Sequence, residues 1–343
     1  MPQKQVAVAM SGGVDSSLAA ALLKEAGYEV SGVYMQLWSN HNLSDLEQTC
    51  QLLGIPFYKL DLETEFQRLV IDYFCREYSL GCTPNPCVFC NQHIKFGLLL
   101  EKALEMGADY LATGHYARIE HSQNGYCLLK AVDLTKDQSY FLYTLGQRQL
   151  QHLLLPLGNL HKVEVRRLAA KLGLPASSRP DSQDVCFIPD NDYRSFIAKH
   201  IPLKSGDIVD TNGKVLGRHD GLAQYTVGQR QGLGLVSNKR LYVKRLDAAN
   251  NRLVVGTKDQ LLSDRLFASQ LSWVSGEAPK EPINITAKIR YKSSEVAATL
   301  SPKEGGVEVN FQQPQWAIAP GQAIVFYQGN AVLGGGIIKD RVD

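Results

Sequence analysis

The sequence predicts an α/β protein: a doubly wound parallel sheet, followed by a small central domain and a C-terminal β-barrel. Three observations carry this. An apolar β-branched run near the start passes through a glycine-containing turn into a helix-like segment. The β-α-β alternation then recurs with short connections up to about residue 115. Beyond about Arg194 helical periodicity gives way to short alternating segments set off by Gly-rich turns.

In order, Gln5 to Met10 reads as a buried strand, Ser11 to Ser17 as a turn, and Leu18 to Ala26 as a helix stopped by Gly27. Glu29 to Leu37 has strand character. Leu46 to Leu53 reads as a helix ended by Gly54, and Pro56 to Leu60 as a short strand. Ile94 to Met106 is helical with Gly107 past its end, and Tyr110 to Thr113 is a strand leading into Gly114-His115. Parallel sheets of this kind bind ligands at the carboxyl ends of their strands. In the second half, Leu241 to Leu246 and Leu253 to Gly256 read as hairpin strands. Ile283 to Tyr291, Val307 to Phe311, Ala323 to Tyr327 and Ala331 to Ile338 have the spacing of a small barrel. The expected domains are 1–195, 196–263 and 264–343.

At 343 residues and 44% hydrophobic, the chain calls for more than one core. No apolar run approaches the roughly 18 residues that cross a bilayer, and the N-terminus lacks the pattern of a secretory signal, so the cytoplasm is the expected location. Residues 1–195 carry 17 Lys+Arg against 21 Asp+Glu, a net of −4. Residues 196–343 carry 19 against 13, a net of +6. That asymmetry points to a polyanion held by the C-terminal half, with ordinary solvated faces as the alternative. Four of the seven cysteines (Cys75, Cys82, Cys87, Cys90) crowd into a span of sixteen residues, which favours thiol or metal chemistry over a disulfide framework.

The run Ser11-Gly12-Gly13-Val14-Asp15-Ser16-Ser17 lies between strand and helix, where backbone N–H groups and a helix N-terminus cradle anions. No Lys follows the glycines, so it is not the loop of kinases and GTPases. It resembles the PP-loop of the ATP pyrophosphatases, which cleave ATP between its α and β phosphates. That resemblance implies ATP and Mg²⁺, with Asp15 acting on the pyrophosphate through the metal. Attaching AMP makes a poor oxygen leaving group a good one. Because PP-loop synthetases also use nitrogen nucleophiles, the loop alone does not name the nucleophile.

The cysteine segments do. The chain matches TPNPxxxCNxxIKF at 83–96, ATGHYAR at 112–118, KDQSYFL at 136–142, xCFIP at 185–189, GQRxGLG at 228–234 and PGQxxVFY at 320–327. With these motifs, nearly end to end, it resembles the tRNA-specific 2-thiouridylases. The resemblance implies ATP-dependent 2-thiolation of the wobble uridine of tRNAs for Lys, Glu and Gln. It also implies sulfur supplied by a cysteine desulfurase or a sulfur-relay protein. Cys186 would receive a sulfane sulfur as a persulfide, and Cys90 would help release it toward the activated base. This chain is a variant: where the family has an acidic residue, as in PNPDxxC, it has Cys87, so the acid–base role of that carboxylate does not carry over. Cys87, Cys90 and Cys186 are three thiolates of the kind that hold a [4Fe–4S] cluster. Persulfide relay and cluster-bound sulfide therefore both stay open. A structural zinc site lacks a second ligand pair.

By the same resemblance Met35 and Gly114 join Ser11, Gly12, Gly13, Asp15, Ser16 and Ser17 in binding ATP, and His115, Lys136, Asp137 and Gln138 face tRNA. In the second half Arg230, Lys239, Arg240, Arg290 and Tyr291 are candidates for tRNA contact, with arginine suited to phosphate and to splayed bases. Two rival functions remain: a PP-loop synthetase or amidotransferase acting on a small metabolite, and a non-catalytic tRNA-binding or sulfur-trafficking protein.

Overall fold

The computed structural model describes residues 3–38, 43–178, 185–188 and 192–341. Its first sheet is entirely parallel, with β1 (Gln5–Ala9), β2 (Glu29–Gln36), β3 (Phe57–Asp61), β4 (Tyr110–Ala112) and β7 (Leu153–Leu154) in the order β3-β2-β1-β4-β7. The strand order reverses between β1 and β4, the point beyond whose strand ends open α/β sheets bind their ligands. Both faces are covered, as a parallel sheet requires. Val6 and Val8 of β1 join one buried cluster with Leu18 and Leu23 of α1 (Val14–Glu25), Leu46 and Cys50 of α2 (Ser44–Leu53), and Val165 and Ala169 of the helix Lys162–Lys171. Ala7, pointing the other way, meets Phe96, Leu99 and Leu100 of a helical run over 86–105.

Two helical runs, over 63–79 and 86–105, contain π-helical turns at Gln67–Ile71 and Cys90–Leu99. No element was expected from the sequence at 63–79. Its signal is Phe66, Val70, Phe74 and Tyr78, all buried in one cluster and spaced four apart. On an ideal helix that spacing drifts about 40° per step, and the wider π turn lets the stripe stay on the core.

The hairpin β5 (Ala117–Ser122) and β6 (Gly125–Lys130) lies in sequence between β4 and β7 yet leaves the parallel sheet. Instead β6 pairs with a strand of the C-terminal barrel, Ala331 opposite Leu129. The central sheet is made of β8 (Gly206–Val209), β9 (Val215–His219), β10 (Tyr242–Asp247) and β11 (Arg252–Gly256), ordered β10-β11-β8-β9 with β8 and β11 parallel.

The barrel comprises β12 (Leu262–Trp273), β13 (Ile283–Lys288), β14 (Val296–Lys303), β15 (Gly306–Trp316), β16 (Ala323–Gln328) and β17 (Ala331–Arg341). Its strands are antiparallel, and β12 pairs with both β15 and β17, which closes the ring and leaves no open edge. One wall packs on the first domain: Ala323, Val325, Tyr327 and Val332 share a buried cluster with Phe96, Leu111 and Leu128.

Candidate active site

The nucleotide loop occupies the turn from β1 into α1. Gly12 adopts φ +76°, a left-handed conformation that glycine permits at no steric cost. Gly13 precedes the first turn of α1 with no side-chain cap, and the loop is braced from inside. Ser16 Oγ accepts from the Ser11 N–H (3.2 Å) and donates to the Gly13 carbonyl (3.1 Å), and Ser17 Oγ donates to the same carbonyl (3.0 Å). Ser16 and Ser17 are buried while Ser11 is exposed, so the buried hydroxyls set the loop's shape.

The loop after β4 closes on it. A Cβ at Gly114 would lie 2.8 Å from both Asp15 C and Ser16 N, so only glycine lets these two loops touch. Gly114, a candidate for ATP contact, thus lies directly against the nucleotide loop. These features fit ATP: a glycine-lined backbone cradle at a helix start, at the switch point of the sheet, with a carboxylate beside it. Met35 sits one residue before the end of β2, the strand adjoining β1, and packs among apolar neighbours.

Asp15 has two partners that the motifs do not assign. Lys162 Nζ donates to both of its carboxylate oxygens (2.7 and 2.8 Å), and the Tyr116 hydroxyl donates to Oδ1 (2.7 Å). Lys162 starts the helix Lys162–Lys171, and its N–H donates to Asp133 Oδ2 (3.0 Å). Burial pushes the Asp133 carboxyl up, but hydrogen bonds from the Lys162 N–H and from Thr135 outweigh it, and the group rests below the usual carboxylate range.

Past Gly114, His115 packs against the helical run that carries the cysteines. Its Nδ1 is 2.8 Å from Thr113 Oγ1, and its ring centroid is 5.6 Å from that of Phe96, in the same helical run as Cys87 and Cys90. Burial, reinforced by the Lys95 ammonium, holds the imidazole well below its ordinary pKa, so it is neutral at pH 7.

The run with the two cysteines starts at Asn85, whose side chain accepts from the Val88 N–H (3.3 Å), with Pro86 at the first helical position. Cys90 is buried in the cluster that also holds Phe187 and Ile188, which follow Cys186. Phe187 makes edge contacts with Phe66 and Phe74 (5.7 and 5.4 Å), anchoring the segment and leaving Cys186 exposed beside it. Pro189 of this motif lies outside the described residues.

Burial pushes the Cys90 thiol up to about 12, against a lowering pull from Lys95. Cys87 and Cys186 are also raised by surrounding protein and lowered by Lys95, Cys186 even though its surface is exposed. The raising pull of Cys186 on both other thiols sets the three in one neighbourhood, with Lys95 as their common cation. Among the described residues, however, no group of three or more His, Cys, Asp or Glu side chains is disposed to hold a metal ion. The three thiols as they stand are not a ready cluster ligand set.

Three family models cover the chain: a tRNA methyl transferase HUP domain over 4–190, a tRNA methyl transferase PRC-barrel domain over 194–257, and an aminomethyltransferase beta-barrel domain over 263–338. The tRNA-specific 2-thiouridylase MnmA of Geotalea uraniireducens (strain Rf4) is 49% identical, covering 99% of this chain and 96% of that one. The protein of that name from Acetivibrio thermocellus is 47% identical, covering 99% and 100%. The chain belongs to the tRNA-specific 2-thiouridylase family. The parallel HUP sheet, the central domain and the closed barrel are the fold expected from the sequence.

For this 2-thiouridylase-family chain, the expected tRNA-facing residues separate into two groups. Arg230, Lys239 and Arg240 are exposed on the central domain. Asp137 is buried, and its carboxylate accepts from the Ala131 N–H (2.9 Å), the Ser139 N–H (3.2 Å) and the Ser139 hydroxyl (2.7 Å). Gln138 Oε1 accepts from the Tyr116 N–H (2.9 Å), while the adjoining Lys136 is partly exposed. Here Asp137 and Gln138 shape the turn, where RNA contact was expected. Arg290 and Tyr291 are likewise half-buried: the guanidinium donates to the Ala317 carbonyl near Trp316, and Tyr291 packs on Phe141 (4.4 Å). Lys162, Tyr116 and Lys95 are side chains in contact with or acting on the expected site residues that the candidate set did not include. The last two lie inside quoted motifs; Lys162 lies in none.

Proposed function

We propose that the chain catalyses ATP-dependent 2-thiolation of the wobble uridine of tRNA. The observation that carries this reading is the loop after β4. It touches the nucleotide loop through Gly114 and the cysteine-bearing helix through His115 and Phe96, so activation and sulfur delivery share one crevice. In this reading residues 1–195 catalyse, 196–263 bind tRNA chiefly through Arg230, Lys239 and Arg240, and 264–343 form the barrel.

ATP, with Mg²⁺, supplies the AMP that turns the uracil 2-oxygen into a leaving group. The Ser11–Ser17 loop and Gly114 receive the phosphates, Met35 borders the base, and Asp15 serves the metal. Cys186, exposed at its anchored turn, takes a sulfane sulfur from a cysteine desulfurase or relay protein. Cys90 then attacks Cys186 Sγ. The S–S bond of the persulfide breaks, hydrosulfide leaves toward the activated carbon, and a Cys90–Cys186 disulfide remains for an external thiol to reduce. Until then burial keeps Cys90 a thiol, which guards against premature release. The tRNAs are those for Lys, Glu and Gln, and the setting is the cytoplasm.

The test is formation of 2-thiouridine, read by nucleoside mass spectrometry, from purified protein with ATP, Mg²⁺, tRNA transcript and a desulfurase with cysteine. Asp15→Ala and Cys186→Ala each abolish it; normal product from either variant refutes the assignment. Pyrophosphate release that needs a small metabolite but not tRNA would establish the synthetase reading instead. The substitution of Cys87 for an acidic residue sustains a cluster reading as the alternative sulfur chemistry. Protein purified without oxygen that holds about four irons per chain, lost in Cys87→Ala, would establish that reading, and iron-free active protein the relay.

A further inference from the structure

The segment before the cysteine helix is held by all three domains. Gly81 lies against the central domain, where an added Cβ would sit 3.2 Å from Leu246 Cβ. Two residues on, the Thr83 N–H donates to the Pro320 carbonyl of the barrel (2.8 Å). Gln322 Nε2 donates to the Thr83 carbonyl (2.9 Å) and reaches the Pro84 carbonyl (3.5 Å). Between them Gly321 has φ +89°, and a Cβ there would fall 2.9 Å from Cys82 Cβ and Thr83 N. The barrel turn is itself fixed, because the Gly321 N–H donates to the Ile338 carbonyl (2.9 Å) and the Ile338 N–H to the Gln322 carbonyl (2.8 Å). The next residues are Asn85, which caps the helix start, then Pro86 and Cys87.

We infer that Gln322 is a positioning residue for sulfur transfer: the barrel turn Pro320–Gln322 clamps Thr83 and Pro84 and so fixes where the helix carrying Cys87 and Cys90 begins. This rests on the thiolation reading above. A single amide donor bridges two carbonyl oxygens that no helix or sheet ladder serves, at the entrance to the helix that carries Cys87 in its first turn and Cys90 just beyond it. The clamp's partners are Cys82, Thr83, Pro84 and Ile338, whereas the nucleotide loop is braced by its own serines and by Gly114, so the two half-reactions should respond differently to its loss.

The experiment uses the full chain loaded with persulfide and compares wild type with Gln322→Glu, Gln322→Ala and Gln322→Lys. Gln322→Glu keeps the shape but faces the carbonyls with an acceptor, whereas Gln322→Lys keeps a donor. tRNA-dependent pyrophosphate release should stay within about twofold of wild type in all three, while single-turnover 2-thiouridine formation falls on the order of 100-fold in the Glu and Ala variants and largely recovers in Lys. Iodoacetamide labelling of Cys87 should shift relative to the exposed Cys186 in the same two variants. An equal fall in both half-reactions, or no fall in either, in both Glu and Ala overturns the inference. Wild-type protein that releases no pyrophosphate with tRNA and forms no 2-thiouridine would instead overturn the reading beneath it.

Discussion

Lys162 Nζ grips both carboxylate oxygens of Asp15, 2.7 and 2.8 Å away, joining two residues 147 positions apart. The Lys162 side chain is 9% exposed and the Asp15 side chain 32%. Removing the carboxylate in Asp15→Ala leaves a nearly buried ammonium. The cost should be about 2 kcal/mol, below the roughly 3–5 kcal/mol of a fully buried pair because Asp15 is partly solvated. Urea unfolding measures this, and Lys162→Met in the Asp15→Ala background should recover part of it. Without recovery, the pair is not what stabilises the loop.

Gly114→Ala tests the contact between the two loops. Its Cβ would press into the Asp15–Ser16 backbone at 2.8 Å, and backbone cannot step aside as a flexible side chain does. tRNA-dependent pyrophosphate release should fall by about 100-fold or more with the chain still folded. A near-normal rate would show that the loops separate in the working state.

The thiols should alkylate in a fixed order. At pH 8 a group pushed up to about 12 is thiolate to only about one part in ten thousand. Exposed Cys186 should therefore react first with iodoacetamide and Cys90 last, with the Cys90 rate rising about tenfold per pH unit. Peptide mass spectrometry reads the order, and equal rates would mean that Cys90 is not buried in solution.

Acid should weaken the fold through His115. Its folded pKa lies well below the unfolded value of 6.5, because burial and Lys95 disfavour the imidazolium. Below pH 6.5 the unfolded chain takes up a proton that the folded chain refuses. The stability contributed is complete above 6.5 and is lost as pH falls toward the folded pKa, by up to about 1.4 kcal/mol per pH unit. His93 and His219, also lowered chiefly by burial, add to the slope. The drop in urea midpoint between pH 7.5 and 5.5 should shrink in His115→Gln; an unchanged drop would assign it to other groups.

Neutralising Arg230, Lys239 and Arg240 together should weaken tRNA binding across sequences and lower the slope of log affinity against log salt by about two. No change in slope would move the RNA contact elsewhere.

The nucleotide loop was legible in the sequence because its residues are contiguous and lie between a strand and a helix. Gly114 was legible as a residue at the end of an apolar strand, but its close contact with the Asp15–Ser16 backbone was not. The cysteines were legible through motif spacing. Lys162 was not: nothing local marks a lysine at the start of a helix as the partner of Asp15. Arg290 and Tyr291 were candidates for RNA contact, but Arg290 turns back onto Ala317 and Trp316 of its own barrel and Tyr291 packs on Tyr140 and Phe141 of the first domain, contacts between residues far apart in the chain. The hairpin β5–β6 escaped for a related reason, because strand character does not reveal which sheet a strand will join. Pro320 to Gln322 was visible as a motif, but its target, Thr83, was not.

That hairpin sets an order on synthesis. Leu129 leaves the ribosome about two hundred residues before Ala331, its partner across the seam, so at roughly 5–20 residues per second β6 waits on the order of ten seconds or more with one edge unpaired. Lys130 ends that strand; in the finished protein its ammonium lies 2.6 Å from Glu295 of the barrel, over the ring of Tyr327. In the nascent chain the same charge stands on an open strand edge, where a lysine discourages pairing with the wrong neighbour. One side chain thus sits at the seam where an early strand meets a late one, and the ion pair with Glu295 forms only when the barrel arrives.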